Sequence, residues 1–594
     1  MEQSTKSKKR IFHILVITAI IWLTLIGRLF FIQIMSAKDF SVNHVNLLEK
    51  SVQQRKQEFS LSLGRGNIYD RNMQSLLAQK EIETVVVFPF SKDLINTDKI
   101  KKLAEVLNMN ENELLNEIGG FETPSYLYKG NKPLEITDYQ KRLIQELEIP
   151  GIVAVSYTLQ EEDNVLAKHV IGYLGQAPEV IKESFSDYLN RGILKTDSLI
   201  GRSGLQMTFQ DLLMGIGDSK IAYYADNKGH PLNGLSSKLL LNEDSYYPLS
   251  LITTLDRNIQ LIAEKQLEKN NVKNGSIVIL DVENADILAM ASTPDFELDN
   301  VNPVFSNWNN KAVQVTEPGS IFKTVIAIAG LEEGVVQLDE KFYCSGEIED
   351  YHFSCYKPHG EITFAEGYAE SCNIVFAETA KRLGSEKIEQ YAESLDVVGR
   401  VGWAGDFFHS KSFAQIANEE PNRVFHPETN LDDTGSIIRT AIGQQDVRIS
   451  PLAAANLVVT VLNEGQVFQP RLVKRVIYKN GTDYYQFPVH KVDWRVGYEQ
   501  TYSEIRKLME RVVEEGTGQL LKQATWNLAG KTGTAETANN LNNQWFIGYG
   551  PVGNPKYAMA VAVRDVPADL TAKKVFLGVM DELASLETEI LSTH

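Results

Sequence analysis

Ser320 and Lys323 are the residues whose types and spacing most readily suggest chemistry. They lie in Glu317-Pro318-Gly319-Ser320-Ile321-Phe322-Lys323-Thr324, directly ahead of the apolar run Val325–Leu331. Pro and Gly break the preceding chain, and the apolar run reads as a buried helix, so Ser320 stands at a helix start. Lys323 then falls on the same face one turn on. A serine hydroxyl is a poor nucleophile until a base takes its proton. A lysine can be that base when burial and neighbouring cations keep it neutral, and free amides at a helix start can polarise a substrate carbonyl. Alone, S-x-x-K is weak: chance gives about two matches in a chain of this length. Most are surface serines beside solvated lysines. The apolar helix behind Ser320 sets this match apart.

Two further short patterns carry polar groups. Ser371-Cys372-Asn373 lies inside Ala369–Phe376, although S-x-N also occurs without chemical meaning at Ser41-Val42-Asn43. Lys531-Thr532-Gly533-Thr534 precedes a strand-rich C-terminal part. There Gly533 would let a substrate backbone approach a strand edge, and Lys531 with the two threonines suits a carboxylate. Gly530-Lys531-Thr532 is not the end of a phosphate-binding loop, since Thr525 stands where that motif needs glycine. A Ser-His-Asp hydrolase would usually carry G-x-S-x-G, which the sequence lacks.

The three cysteines, Cys344, Cys355 and Cys372, form no CxxC or zinc-finger spacing, and the ten histidines include no HExxH. Neither a metal nor a cofactor is expected. In an oxidising compartment Cys344 and Cys355 could pair across a short loop; three buried free thiols fit equally well. A formal net charge of -18 argues against nucleic acid as a partner.

The elements that must position these residues come from both ends of one long domain. Arg257–Leu267 has helical spacing, Gly275–Ile279 and Asp286–Ala291 read as strands about a turn at Glu283-Asn284, and helices dominate from Ser320 to about Leu462. Strands return at Trp545–Tyr549 and Tyr557–Val563. Such a sheet, with helices between its strands in sequence, is α+β (mixed α/β). Nearer the N-terminus, Ile100–Leu115 and Tyr139–Leu147 are helical by spacing, while Glu83–Phe88 and Ile152–Tyr157 are valine-rich strands. Gly215–Leu251, with its Gly, Asn, Ser and Asp clusters, reads as a connection. The 594 residues are too many for a single core.

Lys6, Lys8, Lys9 and Arg10 precede Ile11–Met35, 25 residues interrupted by one charge, Arg28. That length crosses a hydrocarbon core of ~30 Å, and Arg28 near its far end can snorkel to the headgroups. The basic cluster predicts one transmembrane helix with a cytoplasmic N-terminus and the rest outside. The alternative is a cleaved signal peptide, whose small-x-small cleavage site is poorly met after Met35.

Taken in order, the three motifs resemble the set of penicillin-binding proteins and serine β-lactamases. The intervals fit that family too: 51 residues from Ser320 to Ser371 and 160 from Ser371 to Lys531. Asn310-Lys311-Ala312, Gly443-Gln444, Ser450-Pro451-Leu452, Asn463-Glu464-Gly465 and Trp545-Phe546-Ile547-Gly548-Tyr549 resemble other parts of its catalytic domain. Gly64–Arg71, His169-Val170-Ile171-Gly172 and Gly201-Arg202-Ser203-Gly204-Leu205 resemble the non-catalytic domain of class B members. Gln206 departs by standing where glutamate is expected, and Val155–Leu159 lacks a usual arginine-tyrosine pair. No glycosyltransferase segment or appended wall-binding module is seen, so the chain resembles a monofunctional class B penicillin-binding protein.

The resemblance implies a tail (1–10), an anchor (11–35), a stalk with a dimerisation-type pedestal (36–215), a linker (216–250) and a penicillin-binding transpeptidase domain (251–594). It implies a D,D-transpeptidase that cross-links peptidoglycan stem peptides through an acyl-enzyme on Ser320 and is trapped by β-lactams. Lys323 would be the base, with Ser371 and Lys531 relaying protons and Asn373, Thr532, Gly533 and Thr534 binding the donor peptide. It further implies a bacterial cell membrane location and other wall-synthesis proteins as partners. A D,D-carboxypeptidase, a β-lactamase or a silent scaffold of a wall-synthesis complex would carry the same residues.

Overall fold

A strand that is apolar at nearly every position must be covered on both faces, and Gly275–Asp281 (GSIVILD) is such a strand. In the computed structural model it lies inside a five-stranded antiparallel sheet of order Ile287–Thr293, Gly275–Asp281, Tyr557–Val566, Asn542–Gly550, Ala529–Glu536. Side chains alternate across a pleat. Ile277 and Ile279 therefore pack with the helices Arg257–Lys269 and Thr571–Thr593, while Val278 and Leu280 belong to the larger cluster holding the helices Lys323–Glu332, Asn373–Ser394 and Pro451–Leu462. Ala529–Glu536, which carries Lys531, is an edge strand. The structure describes all residues except 1, 42–43, 62–63, 89–96, 122, 131, 150, 161–164, 216–219, 225–237, 241–243, 245, 299–300, 302–304, 538–540 and 594.

The chain divides into two compact units, one of Met1–Gly64, Lys80–Leu159 and Gly217–Glu243, the other of Arg65–Gln79, Gln160–Ile216 and Asp244–His594. The second unit holds the five-stranded sheet together with Ser320, Lys323, Ser371, Asn373 and Lys531. Its helix Arg257–Lys269 starts where expected, because the Asp256 side chain accepts from the Asn258 and Ile259 N–H groups. The expected predominance of helices from Ser320 to Leu462 is interrupted by small antiparallel pairs: Lys341–Cys344 with Gly360–Thr363, Glu347–Ile348 with Phe353–Ser354, and Ala404–Phe407 with Ser410–Ala414. Gln206 also lies in this unit. Arg65 donates through Nε to Gln206 Oε1 (2.6 Å) and through Nη2 to Gln206 O (3.1 Å) and Gln210 Oε1 (2.9 Å). A neutral amide thus receives the guanidinium where a glutamate was expected.

In the first unit the helix Glu2–Phe30 runs into a π-helical turn, Phe31–Met35. Lys8–Met35 is 28 residues with a mean hydropathy of 2.3 and none of it is buried, so this is one helix long and apolar enough to cross a membrane. The strands Gln79–Val87 and Ile152–Gln160 pair in one sheet with Ser125–Tyr126. The helix Asp138–Leu147 is closed by a capping box between Thr137 and Gln140. Ile100–Leu115, expected as one helix, is two: Thr97–Leu107 and Glu111–Gly120. Asn108 takes a left-handed φ of 55°, and the Asn110 side chain accepts from Asn112 N–H to cap the second helix. Most of 216–250, expected as a linker, lies outside the described residues. Within it Lys220–Tyr224 and Lys238–Leu240 pair, and the former also pairs with Lys56–Ser60.

Candidate active site

Ser320 lies in a 3-10 turn, Gly319–Phe322, and Lys323 is the first residue of the α-helix that continues it. The turn is pressed against the Lys531 strand. Gly319 has φ +57°, and a Cβ there would come within 2.3 Å of Thr534 O. Gly443, at φ +71°, backs Gly319 in turn: Gly319 N–H donates to Gly443 O at 3.0 Å, and a Gly443 Cβ would sit 2.0 Å from Gly319 O. On the upstream side Trp545 Nε1 donates to Glu317 O (2.9 Å), Arg448 pairs with Glu317 (2.7 Å), and Asn543 Nδ2 donates to Thr316 Oγ1 (2.7 Å). The sheet's penultimate strand therefore holds the serine turn in place.

Lys323, Ser371, Asn373 and Lys531 form one hydrogen-bonded cluster. Lys323 Nζ donates to Asn373 Oδ1 (2.7 Å) and Ser371 O (2.7 Å) and lies 3.3 Å from Ser371 Oγ. Lys531 Nζ donates to the same Ser371 Oγ at 2.8 Å and to Thr532 O at 3.2 Å. Both lysines are fully buried, over the rings of Phe376 and Tyr368 respectively. Burial draws Lys323 down to about 7. Burial, with Lys323 beside it, holds Lys531 well below the ordinary lysine range. Ser371 reaches between them from a left-handed φ of 55°, and Asn373 Nδ2 is fixed by Ser354 O at 2.9 Å. Ser320, only half-buried, takes no side-chain hydrogen bond among the described residues. The cluster can thus offer a neutral amine one turn from an accessible hydroxyl.

On the Lys531 strand, Thr532 and Thr534 point the same way, half-buried and exposed, while Lys531, Gly533 and Ala535 point inward. Gly533 pairs with Trp545, and a Cβ on it would meet Pro318 O at 2.7 Å. One residue escaped the sequence reading. Thr517 N–H donates to Ala369 O (3.1 Å), Thr517 Oγ1 lies 2.6 Å from Thr532 Oγ1, and Lys573 Nζ donates to Thr517 O (3.2 Å). Thr517 thereby ties the C-terminal end of the helix Phe364–Ala369, just before Ser371, to the Lys531 strand. Its sequence signal, a threonine between Gly516 and Gly518, is too common to single out.

A mixed α/β domain presenting a serine at a helix start beside two desolvated lysines defines an active-serine acyltransferase. The chain belongs to the penicillin-binding protein transpeptidase family: the model of the penicillin binding protein transpeptidase domain matches residues 275–581, and that of the penicillin-binding protein dimerisation domain matches 61–241. Stage V sporulation protein D of Bacillus subtilis is 28% identical, over 94% of this chain and 81% of its own length. Peptidoglycan D,D-transpeptidase MrdA of Acinetobacter baumannii is 24% identical, over 93% of this chain and 84% of its own. Among solved structures, the fold is shared with a chain of a complex between penicillin-binding protein PBP2 and MreC from Helicobacter pylori (TM-score 0.61, 20% identity, 89% of this chain and 99% of that one). It is shared also with a chain of a peptidoglycan synthase complex that coordinates polymerization and crosslinking (TM-score 0.65, 20% identity, 97% and 98%). The protein is accordingly a class B penicillin-binding protein with a serine-type transpeptidase domain and a dimerisation-type domain.

Proposed function

We propose that the chain cross-links peptidoglycan by D,D-transpeptidation, with Ser320 attacking the D-alanyl-D-alanine bond of a donor stem peptide. The observation that carries this reading is the neutral-leaning, fully buried Lys323 one turn from Ser320. Lys323 takes the Ser320 proton as the Oγ–carbon bond forms, and Ser371 with Lys531 passes a proton to the departing D-alanine amine. The backbone N–H groups of Ser320 and Thr534 receive the carbonyl oxygen as it gains charge. Asn373 hydrogen-bonds the donor peptide, Thr532 and Thr534 hold its terminal carboxylate, and Gly533 lets it lie close to the strand. An amine on a second stem peptide then displaces Ser320 and forms the cross-link, while a β-lactam in place of the donor stays bound. In this reading residues 1–10 are cytoplasmic, 11–35 are an uncleaved anchor, 36–215 raise the catalytic domain (251–594) outside the cell, 216–250 link the two, and other wall-synthesis proteins are partners.

The test is labelling of the full-length, detergent-solubilised chain with a fluorescent penicillin, followed by turnover of a peptide or thioester donor with and without a D-amino acid. Wild type should carry one covalent adduct that Ser320→Ala loses, and exchanged product should grow with acceptor while hydrolysis stays slow. An adduct of equal yield on Ser320→Ala rejects the nucleophile. Rapid donor hydrolysis whatever the acceptor, with penicillin turned over, replaces transpeptidase by carboxypeptidase or β-lactamase.

A further inference from the structure

Beside the Ser371–Asn373 segment, Cys344, Cys355, His359 and Cys372 bring three thiols and one imidazole nitrogen within 4.8 Å of one another. Pairing of Lys341–Cys344 with Gly360–Thr363 sets Cys344 opposite Gly360, and so beside His359. Cys355 follows the strand Phe353–Ser354 and is held by its own N–H donating to Gly346 O at 2.8 Å. Cys372 is placed by its N–H donating to Gly367 O at 2.7 Å. Cys344 and Cys372 are buried, Cys355 is half-buried, and the His359 side chain is 4% exposed.

The spacing fits a tetrahedral metal. Zn–S bonds of ~2.3 Å and Zn–N bonds of ~2.0 Å at tetrahedral angles put sulfurs about 3.8 Å apart and sulfur about 3.5 Å from nitrogen. Cys355 Sγ lies 4.0 Å from Cys372 Sγ, and His359 Nδ1 lies 3.7 Å from Cys355 Sγ and 3.5 Å from Cys344 Sγ. The surroundings also have the groups that orient metal ligands. His359 Nε2 is 3.3 Å from Tyr356 Oη, which in turn lies 3.1 Å from Glu370 Oε2, and Asn373 N–H points at Cys355 Sγ at 3.3 Å. With Nδ1 on a metal, Nε2 keeps the proton and donates it to Tyr356. All three cysteines are free thiols.

We propose that Cys344, Cys355, His359 and Cys372 bind one zinc ion in a closed, structural site of three sulfurs and one nitrogen. The thiols release their protons as the metal binds, and four protein ligands leave no open position for substrate or water. Cys372 lies between Ser371 and Asn373, so the ion braces the segment that presents both side chains to Lys323. This role stands apart from the acylation chemistry, because among the described residues none of the four ligands hydrogen-bonds the Ser320 side chain.

The full-length chain in detergent, purified under thiol reductant, is assayed for metal and then titrated with cobalt(II) after chelator treatment. Expected are about one zinc per chain and, with cobalt, the intense visible absorption of a tetrahedral thiolate site. Cys344→Ser and His359→Ala should each weaken zinc binding at least tenfold in a chelator competition, whereas His359→Cys, which restores a fourth ligand, should regain most of it. Zinc well below one per chain with an octahedral cobalt spectrum overturns the site, as does zinc binding that both variants leave unchanged. A Cys355–Cys372 disulfide found by peptide mapping of zinc-supplied, unreduced protein also overturns it, in favour of a redox pair.

Discussion

Lys531 and Lys323 converge on one oxygen: Lys531 Nζ is 2.8 Å and Lys323 Nζ is 3.3 Å from Ser371 Oγ. Two buried amines sharing a hydroxyl repel each other when both are protonated, and burial penalises each charge further. The pair therefore sheds a proton far more readily than solvated lysines do. That is what Ser320, whose hydroxyl has no hydrogen-bond partner among the described residues, requires.

The pH dependence of acylation follows. In the proposed mechanism Lys323 must be neutral to accept the Ser320 proton, and its value is about 7. The second-order rate of penicillin acylation should fall roughly tenfold from about pH 8 to about pH 6, because the protonated form dominates at the lower pH. Stopped reactions scored by gel fluorescence give the profile. Lys323→Ala should lower the plateau by about 10²-fold or more and flatten the slope; a variant that keeps the wild-type inflection would move the base elsewhere.

Thr517 positions Thr532, the residue proposed to hold the donor carboxylate. Ala369 O already accepts from Thr517 N–H at 3.1 Å and lies 3.5 Å from Thr517 Oγ1, so the shorter contact for the hydroxyl is Thr532 Oγ1 at 2.6 Å; donation there leaves the Thr532 proton for a substrate carboxylate. Thr517→Val should raise the donor KM about fivefold, the equivalent of about 1 kcal/mol of hydrogen bonding, with kcat nearly unchanged. The reverse split, kcat lost at constant KM, would mean that Thr517 serves the chemistry instead.

Gly443 supports the serine turn from behind. Alanine at φ +71° costs about 1–2 kcal/mol, and its Cβ would lie 2.0 Å from Gly319 O. Gly443→Ala should melt several degrees below wild type and acylate more slowly, since Gly319 must shift. Unchanged melting and acylation would show that the contact between the two glycines is dispensable.

Arg65 is half-buried, and the loss of water around its guanidinium draws it down to about 10. Gln206→Leu removes the Oε1 acceptor from Arg65 Nε, leaving Gln206 O and Gln210 Oε1 in place, and should cost about 1–3 kcal/mol in denaturant unfolding. Gln206→Glu should be at least as stable as wild type, because it supplies a charge to the same guanidinium. A Gln206→Glu protein less stable than Gln206→Leu would contradict this account of the contact.

What the sequence disclosed divides along physical lines. The sheet strands were legible because strands covered on both faces are continuous apolar runs, as in GSIVILD and YAMAVAV. Ser320, Lys323, Ser371, Asn373 and Lys531 were legible because each sits in a short local pattern, and their order along the chain connected them. The thiol and imidazole cluster was not. Its members are separated by irregular intervals, and only two small strand pairs and a helix start bring them together. The break between Thr97–Leu107 and Glu111–Gly120 was hidden too, since the apolar spacing continues through it while Asn108 turns the backbone left-handed. Thr517 carries only the common pattern of a threonine between two glycines; its meaning comes from a 2.6 Å neighbour fifteen residues on.

Ser371 combines a backbone that favours glycine with a hydroxyl that glycine lacks. At φ 55° a residue with a side chain carries strain of about 1 kcal/mol or more, so the position sets robustness against reactivity. Ser371→Gly relaxes the turn but leaves Lys531 without its nearest acceptor. With Ser371 in its proposed role, a search for thermostable variants would be drawn toward a well-folded protein that no longer turns over, and selection for heat resistance alone would act against the catalyst at this residue.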